Sequence, residues 1–179
     1  MIIQIETLSL GIHQFNFVIQ PKDVHLDNYF SSSNKHNGET DDFTFPIFVH
    51  INLEKNERQV LLNSSVETKK NSLCDRCADA FELQILGTYD AVYKYDDRNA
   101  TIDNEKEDFI LLSRDHPLID LTEDIRQTIL VSIPMKNLCN ENCLGLCSHC
   151  GKNFNMESCL CKNEIIDERW SSLLCLKNN

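Results

Sequence analysis

The chain has 179 residues, of which 41% are hydrophobic and 25% are charged, values typical of a folded globular protein. Lysine and arginine number 17 against 28 aspartates and glutamates, so the formal net charge is −11. This charge argues against binding of nucleic acid through a general basic surface, because phosphate neutralisation requires clustered cations. Nine cysteines are the unusual feature of the composition.

The segment that follows Met1 carries neither the basic start nor the apolar run of a signal peptide. No stretch reaches the roughly 18 apolar residues of a membrane-spanning helix. The sequence therefore predicts a cytoplasmic protein that does not contact a membrane. Thiols stay reduced in the cytoplasm, so clustered cysteines are more typical of metal or redox sites than of disulfides there.

Apolar and polar residues alternate through much of the segment 11–95, which predicts strands with one buried face in a mostly antiparallel sheet. A polar segment at 54–57 is predicted to form a hairpin turn, and two further polar segments, 31–38 and 96–108, are predicted to be solvated loops. The alternation is clearest at residues 15–19, 47–53 and 89–93.

One helix is predicted after residue 120, with Asp120 as its N-cap and Glu123 as the capping-box partner. Pro134 is expected to end it. The apolar residues that form one stripe of this helix are Leu121, Ile125, Ile129, Leu130 and Ile133. The predicted fold class is α+β: a mostly antiparallel twisted sheet with one principal helix and a cysteine-rich tail held to it by zinc.

The chain is predicted to be a single domain over residues 1–179, made of a sheet-plus-helix body, 1–135, and a cysteine-rich tail, 136–179. The body has 12 lysines and arginines against 23 aspartates and glutamates. The tail has 5 of each kind. The acidity therefore belongs to the body, and the tail is the better surface for an anion.

Eight cysteines are candidate metal ligands, because their close spacing is typical of thiolate sites. Zinc prefers four tetrahedral ligands, so eight thiolates match two four-cysteine sites. Gly151 follows one C-x-x-C pair and can adopt the positive φ that turns backbone N–H groups toward the sulfurs. The candidate ligands are Cys74, Cys77, Cys139, Cys143, Cys147, Cys150, Cys159 and Cys161.

The grouping of these cysteines is open between two arrangements. Short-loop closure favours one local site from the last four cysteines, and a second site in which Cys74 and Cys77 join Cys139 and Cys143. In the other arrangement a single zinc is held by Cys74, Cys77 and two tail cysteines. His149 is an alternative ligand, although its place inside the C-x-x-C pair favours an exposed ring.

Three other cysteine chemistries are weaker alternatives: disulfides, a redox pair at Cys74 and Cys77, and an iron–sulfur cluster, whose usual spacings differ from those here. The motifs of common hydrolases, nucleotide-binding proteins and deaminases are absent from the sequence. We therefore expect neither catalytic residues nor a small-molecule substrate.

The cysteine pattern and its surroundings resemble the YceD family (domain of unknown function 177), the large ribosomal RNA subunit accumulation proteins. The resemblance depends on the Cys74–Cys77 pair, on the helix after Asp120, and on the tail pattern from Leu138 to Asn155. The segment 167–170, Asp-Glu-Arg-Trp, is similar to a motif near the family's C-terminus, with Glu168 where many members have proline. Gln127 stands where an acidic residue is usual.

The resemblance implies a bacterial cytoplasmic protein, or its plastid equivalent, that supports 23S rRNA processing or accumulation without catalysis. The expected partner is the precursor of the large ribosomal subunit, contacted through a basic ribosomal protein, the 23S rRNA precursor, or both. Alternatives are a zinc-stabilised interaction module unrelated to ribosomes and a C-x-x-C redox protein. The candidate RNA or partner contacts in the tail are Lys136, Lys152, Lys162, Arg169 and Trp170.

Overall fold

The structure is a computed structural model that describes residues 1–26, 43–96 and 109–161. Within these residues the chain forms one α-helix, α1 (Thr122–Val131), a short 3₁₀ helix (Pro21–Val24), and seven strands. The strands are β1 (Ile2–Gln4), β2 (Gly11–Ile19), β3 (Ile47–Lys55), β4 (Gln59–Leu73), β5 (Ala80–Tyr95), β6 (Ile110–Leu112) and β7 (Leu118–Asp120).

The principal sheet has the strand order β2-β3-β4-β5-β6. Its first four strands are antiparallel, whereas β6 is parallel to β5 and pairs only with Tyr93–Tyr95. A separate antiparallel pair joins β1 to β7. The prediction of a sheet-rich protein with one principal helix is confirmed, and the short β6 makes the principal sheet mixed.

The β3–β4 hairpin turns slightly later than its sequence predicts. Glu54 and Lys55 still belong to β3, and the turn is closed by the Asn56 N–H, which donates to the Gln59 carbonyl at 2.9 Å. The predicted turn at 54–57 is therefore displaced by two residues. Glu54 remains exposed at the strand end, whereas the Lys55 ammonium donates to the carbonyls of Ile5 and Leu8 at 2.9 and 2.6 Å.

The core lies between one face of the principal sheet and α1, where alternate residues of β3, β4 and β5 are buried. Helix α1 packs tightly against β5 at Gly87. A Cβ atom added there would lie 2.6 Å from Ser132 Oγ and 2.7 Å from Thr128 Cγ2. Glycine at position 87 thus permits the close approach of helix and sheet.

The apolar stripe of the helix is confirmed, since Leu121, Ile125 and Ile129 are buried. The boundaries differ from those predicted: α1 ends at Val131, and Leu121 occupies the N-cap position. Asp120 ends β7 instead.

The predicted capping box does not form. Asp120 Oδ1 accepts hydrogen bonds from the backbone N–H and the hydroxyl of Thr122, at 3.0 and 2.6 Å. The Glu123 carboxylate accepts from Arg126 and Gln127, one turn further along. The Asp120 carboxylate still satisfies an N–H group of the first turn, which is the physical role of a cap.

Some sequence predictions fall outside the described residues. These are the loop at 31–38, all but Asp96 of the loop at 96–108, the motif at 167–170, and the candidate contacts Lys162, Arg169 and Trp170. The ninth cysteine, Cys175, also lies outside the described residues. In the ranges that the structure does describe, no helix combines the length and apolar content that crossing a membrane requires.

Candidate metal centre

The first cysteine pair lies in the tight connection between the two longest strands. Cys74 directly follows β4, and its N–H donates to the Asp79 carbonyl at 2.9 Å, while the Ala78 N–H donates back to the Cys74 carbonyl at 2.9 Å. Ala78 has a φ of 59°, the left-handed conformation that reverses the chain before β5. This turn buries the side chains of both Cys74 and Cys77.

The tail is joined to this turn by hydrogen bonds in both directions. The Asp75 N–H donates to the Asn137 carbonyl at 2.8 Å, and the Asn137 N–H donates to the Asp75 carboxylate at 2.7 Å. The Arg76 guanidinium donates to the Cys143 carbonyl at 2.9 Å. Cys139 and Cys143 are thereby positioned against a loop more than 60 residues earlier in the chain.

Four sulfurs meet at this junction, and we call Cys74, Cys77, Cys139 and Cys143 the inner cluster. Their Sγ atoms all lie within 4.8 Å of one another. Cys74 and Cys143 are 3.8 Å apart, and Cys77 and Cys139 are 3.7 Å apart. Phe81 and Leu138 pack against the cluster, and of its four residues only Cys139 is exposed.

The other four cysteines of the described residues form an outer cluster: Cys147, Cys150, Cys159 and Cys161. Cys159 lies 3.4 Å from Cys147 and 3.4 Å from Cys150, measured between sulfurs. The turn after Cys150 is closed by the Gly151 N–H, which donates to the Cys147 carbonyl at 2.9 Å with φ 72° at Gly151. Only Cys147 is buried here.

Both clusters fit a tetrahedral metal ion. Four sulfurs at about 2.3 Å from one zinc ion lie about 3.8 Å from each other. The sulfur separations Cys74–Cys143, Cys77–Cys139, Cys150–Cys159 and Cys147–Cys159 are 3.4 to 3.8 Å. All eight cysteines are free thiols rather than disulfides. Each cluster can therefore hold a metal ion, and the two sets of four are the sets that short-loop closure favoured.

In each cluster the surroundings favour ionisation of one thiol, Cys74 in the inner cluster and Cys147 in the outer cluster. Burial opposes ionisation of Cys74, but the N–H groups of Cys139, Cys77 and Arg76 outweigh it and lower its pKa to about 6. The N–H groups of Cys150 and His149 likewise lower the pKa of Cys147 to about 6.

Cys77 and Cys161 are harder to ionise, because their pKa values are raised. The Asp79 N–H acts to lower the pKa of Cys77, yet burial and the neighbouring sulfurs together raise it. The sulfurs of Cys159 and Cys150 raise the pKa of Cys161 to about 12. Four thiolates at this spacing repel one another, so a cation is needed to hold all four ionised.

Two asparagines between Cys150 and Cys159 hold this segment to the inner cluster and to the body. The Asn155 amide donates to Cys143 Sγ at 3.3 Å, while its oxygen accepts from the Leu144 N–H at 2.8 Å. The Asn153 amide donates to the Asp79 carboxylate at 2.6 Å. Spacing arguments about metal ligands missed both of these residues, although they belong to the tail pattern that carries the family resemblance.

The other predicted site residues that the structure describes lie outside the clusters. His149 is exposed and is not a member of the outer cluster. Lys136 and Lys152 are also exposed, and the Lys152 ammonium pairs with the Glu157 carboxylate at 3.0 Å. This pairing reduces the positive charge that Lys152 offers to a phosphate.

Comparison with known proteins identifies relatives of this chain. A family model described as large ribosomal RNA subunit accumulation protein YceD matches residues 62–177. The chain is 24% identical over 152 residues to large ribosomal RNA subunit accumulation protein YCED homolog 1, chloroplastic, of Arabidopsis thaliana, covering 72% of this chain and 47% of that protein. No solved structure matches the chain.

Two further relatives agree with this match. An uncharacterized protein of Mycobacterium leprae is 27% identical over 132 residues, 72% of this chain and 58% of that protein. The Zea mays YCED homolog 1, chloroplastic, is 47% identical over 45 residues, 25% of this chain and 15% of that protein. The chain thus spans about half the length of the two relatives that it matches over most of its own length.

Proposed function

The chain belongs to the YceD family of large ribosomal RNA subunit accumulation proteins, and on that premise we propose that it is a non-enzymatic accessory factor for large-subunit biogenesis. In this role it supports the processing or accumulation of 23S rRNA in the cytoplasm. The observation that carries the proposal is the family match over residues 62–177, because it includes both four-sulfur clusters and α1.

Zinc is the metal that we propose for the two clusters. Four thiolates complete a tetrahedral zinc site, whereas a catalytic zinc keeps one position for water or substrate. Bound zinc supplies folding free energy rather than chemistry at such a site. The inner cluster then holds the tail to the β4–β5 turn, and the outer cluster folds the segment 147–161 around a second ion.

The charge of the chain favours a protein contact on the body. Residues 1–135 carry the whole net charge of −11, which attracts a basic ribosomal protein and repels phosphate. The tail has no net charge, so any direct contact with precursor 23S rRNA belongs there. Lys136, Lys152, Lys162, Arg169 and Trp170 remain the candidates for that contact.

Sedimentation through a sucrose gradient tests the ribosomal role. At low salt we expect the purified chain to migrate with precursor particles of the large subunit and to leave them as the salt concentration rises. A chain that stays at the top of the gradient at low salt would contradict the proposal and favour an interaction module of another complex. Mature small subunits serve as the control particle.

Elemental analysis tests the metal proposal and the redox alternative together. We expect two zinc ions per freshly purified chain and thiols that react slowly with alkylating agents. Metal-free protein with a reducible disulfide between Cys74 and Cys77 would support the redox reading instead. Single substitutions Cys74→Ser and Cys150→Ser are each expected to remove about one ion.

A further inference from the structure

The outward face of the principal sheet carries an apolar groove of about 580 Å³ that crosses β2, β3, β4 and β5. Three of its side chains are large, apolar and exposed: Val18 (64%), Phe48 (51%) and Leu86 (65%). The strand register places Val18 opposite Phe48, Phe48 opposite Glu67, and Glu67 opposite Leu86. We call these four residues the outer row.

The outer row is not part of the core that stabilises the fold. The core-facing neighbours in the same strands, such as Val49, Val66 and Ile85, point to the opposite side of the sheet and are buried. The next row on the outward face is polar, consisting of Asn16, His50, Ser65 and Thr88. Single exposed apolar residues are ordinary, but three large ones lining one groove of a sheet face are typical of an interaction surface.

Glu67 gives the groove a negative charge at its centre. Its carboxylate accepts a hydrogen bond from the neutral Gln84 amide at 2.8 Å. The nearby Lys69 ammonium is paired with Glu82 at 3.0 Å. Over the ranges that the structure describes, Glu67 forms no ion pair, and it is the only carboxylate lining the groove, which His50 also lines.

We propose that the outer row is the docking surface for a basic protein segment. An aliphatic or aromatic side chain of that segment covers Phe48 and Leu86, and a lysine or arginine pairs with Glu67. The inference rests on the proposed function and names the surface that receives the basic ribosomal protein. A protein is favoured over RNA because Glu67 and the acidic body repel phosphate.

Site-specific photo-crosslinking tests this surface directly. The full chain with Phe48→p-benzoylphenylalanine is irradiated in the presence of purified precursor particles of the large subunit. We expect an adduct with one basic protein of the particle. An adduct with rRNA, an adduct with a second copy of the chain, or no adduct from a chain that migrates with the particles would overturn the proposal.

These outcomes separate the docking surface from the ribosomal role. A chain that binds the particles without forming the protein adduct retains the proposed function and loses only the surface. A chain absent from the particle fractions contradicts both.

Matched substitutions measure the contribution of the outer row. Leu86→Ser and Glu67→Gln are each expected to weaken particle binding about tenfold, because central apolar and charged contacts dominate protein interfaces. Ile12→Ser and Glu54→Gln are the controls, since these two residues face each other across β2 and β3 outside the groove. If the control pair weakened particle binding as much as the outer-row pair, the assignment of the docking surface would be refuted. If Leu86→Ser unfolds the chain, Glu67→Gln alone provides the test.

Discussion

The two clusters differ in how far apart their cysteines lie along the chain, and this predicts how stability depends on free zinc. The inner cluster joins residues 62 and 69 positions apart, so its four sulfurs meet only in the folded protein. The outer cluster joins Cys150 to Cys159, nine positions apart. Its ligands can also gather in the unfolded chain. Cys150→Ser leaves the inner cluster intact, and Cys143→Ser leaves the outer one.

The magnitude follows from mass action and loop closure. A site that binds zinc only in the folded state raises the unfolding free energy by about 1.4 kcal/mol for each tenfold rise in free zinc above its dissociation constant. Closing a 62-residue loop rather than a 9-residue loop costs the unfolded chain about 1.7 kcal/mol more. That difference weakens zinc binding to the unfolded inner ligands by a factor of roughly 20.

Urea unfolding followed by far-ultraviolet circular dichroism at buffered zinc concentrations measures these slopes. Cys150→Ser is expected to keep the full slope of about 1.4 kcal/mol per tenfold change in free zinc. Cys143→Ser is expected to have a smaller slope, since its remaining site also binds zinc when unfolded. A zero slope for Cys150→Ser, or the larger slope for Cys143→Ser, would refute the reasoning.

Three further predictions follow from the geometry. A chelator is expected to remove zinc in two phases. The faster phase should come from the outer cluster, because only Cys147 is buried there. A chromogenic chelator records both phases, and the Cys143→Ser variant should lack the slower phase. Gly87→Ala is expected to lower the unfolding free energy by about 1–3 kcal/mol through overpacking against Thr128 and Ser132, whereas Thr88→Ala, on the exposed face, changes it little in the same urea titration. Hydrogen bonds from Thr122 lower the pKa of Asp120. The stabilisation that the Asp120 carboxylate gives the fold is therefore present above the ordinary aspartate pKa near 4 and is lost as the pH falls through the lower folded value. Asp120→Ala should lower the unfolding free energy by about 1 kcal/mol at pH 7, and an unchanged loss at pH 2 would contradict this.

The sequence predicted the strands and the helix in which apolar residues recur at the spacing of that secondary structure. In β3, residues 47, 49, 51 and 53 are apolar and buried, and the alternation showed this strand clearly. In β4 the pattern fails after Val66, because the buried positions hold Thr68, Lys70 and Ser72. Polar residues at core positions hide a strand from any argument based on hydrophobic alternation.

The sequence predicted which cysteines lie together but not the surroundings of the two clusters. Close spacing identified the pairs, and loop length favoured the grouping that the sulfurs adopt. The hydrogen bonds that hold the tail in place, between Asp75 and Asn137 and from Asn155 to Cys143, follow no periodic pattern. They depend on the tail meeting the β4–β5 turn, which only the three-dimensional structure shows.

The ratio of 23S to 16S rRNA in cells that lack this protein tests the central claim most directly. We expect that ratio to fall, with precursor 23S rRNA accumulating, and to recover when the full chain is returned. The chain with Cys143→Ser should restore the ratio only in part, because its tail is no longer held to the body by the inner cluster. An unchanged ratio in cells that lack the protein would contradict the role in large-subunit biogenesis.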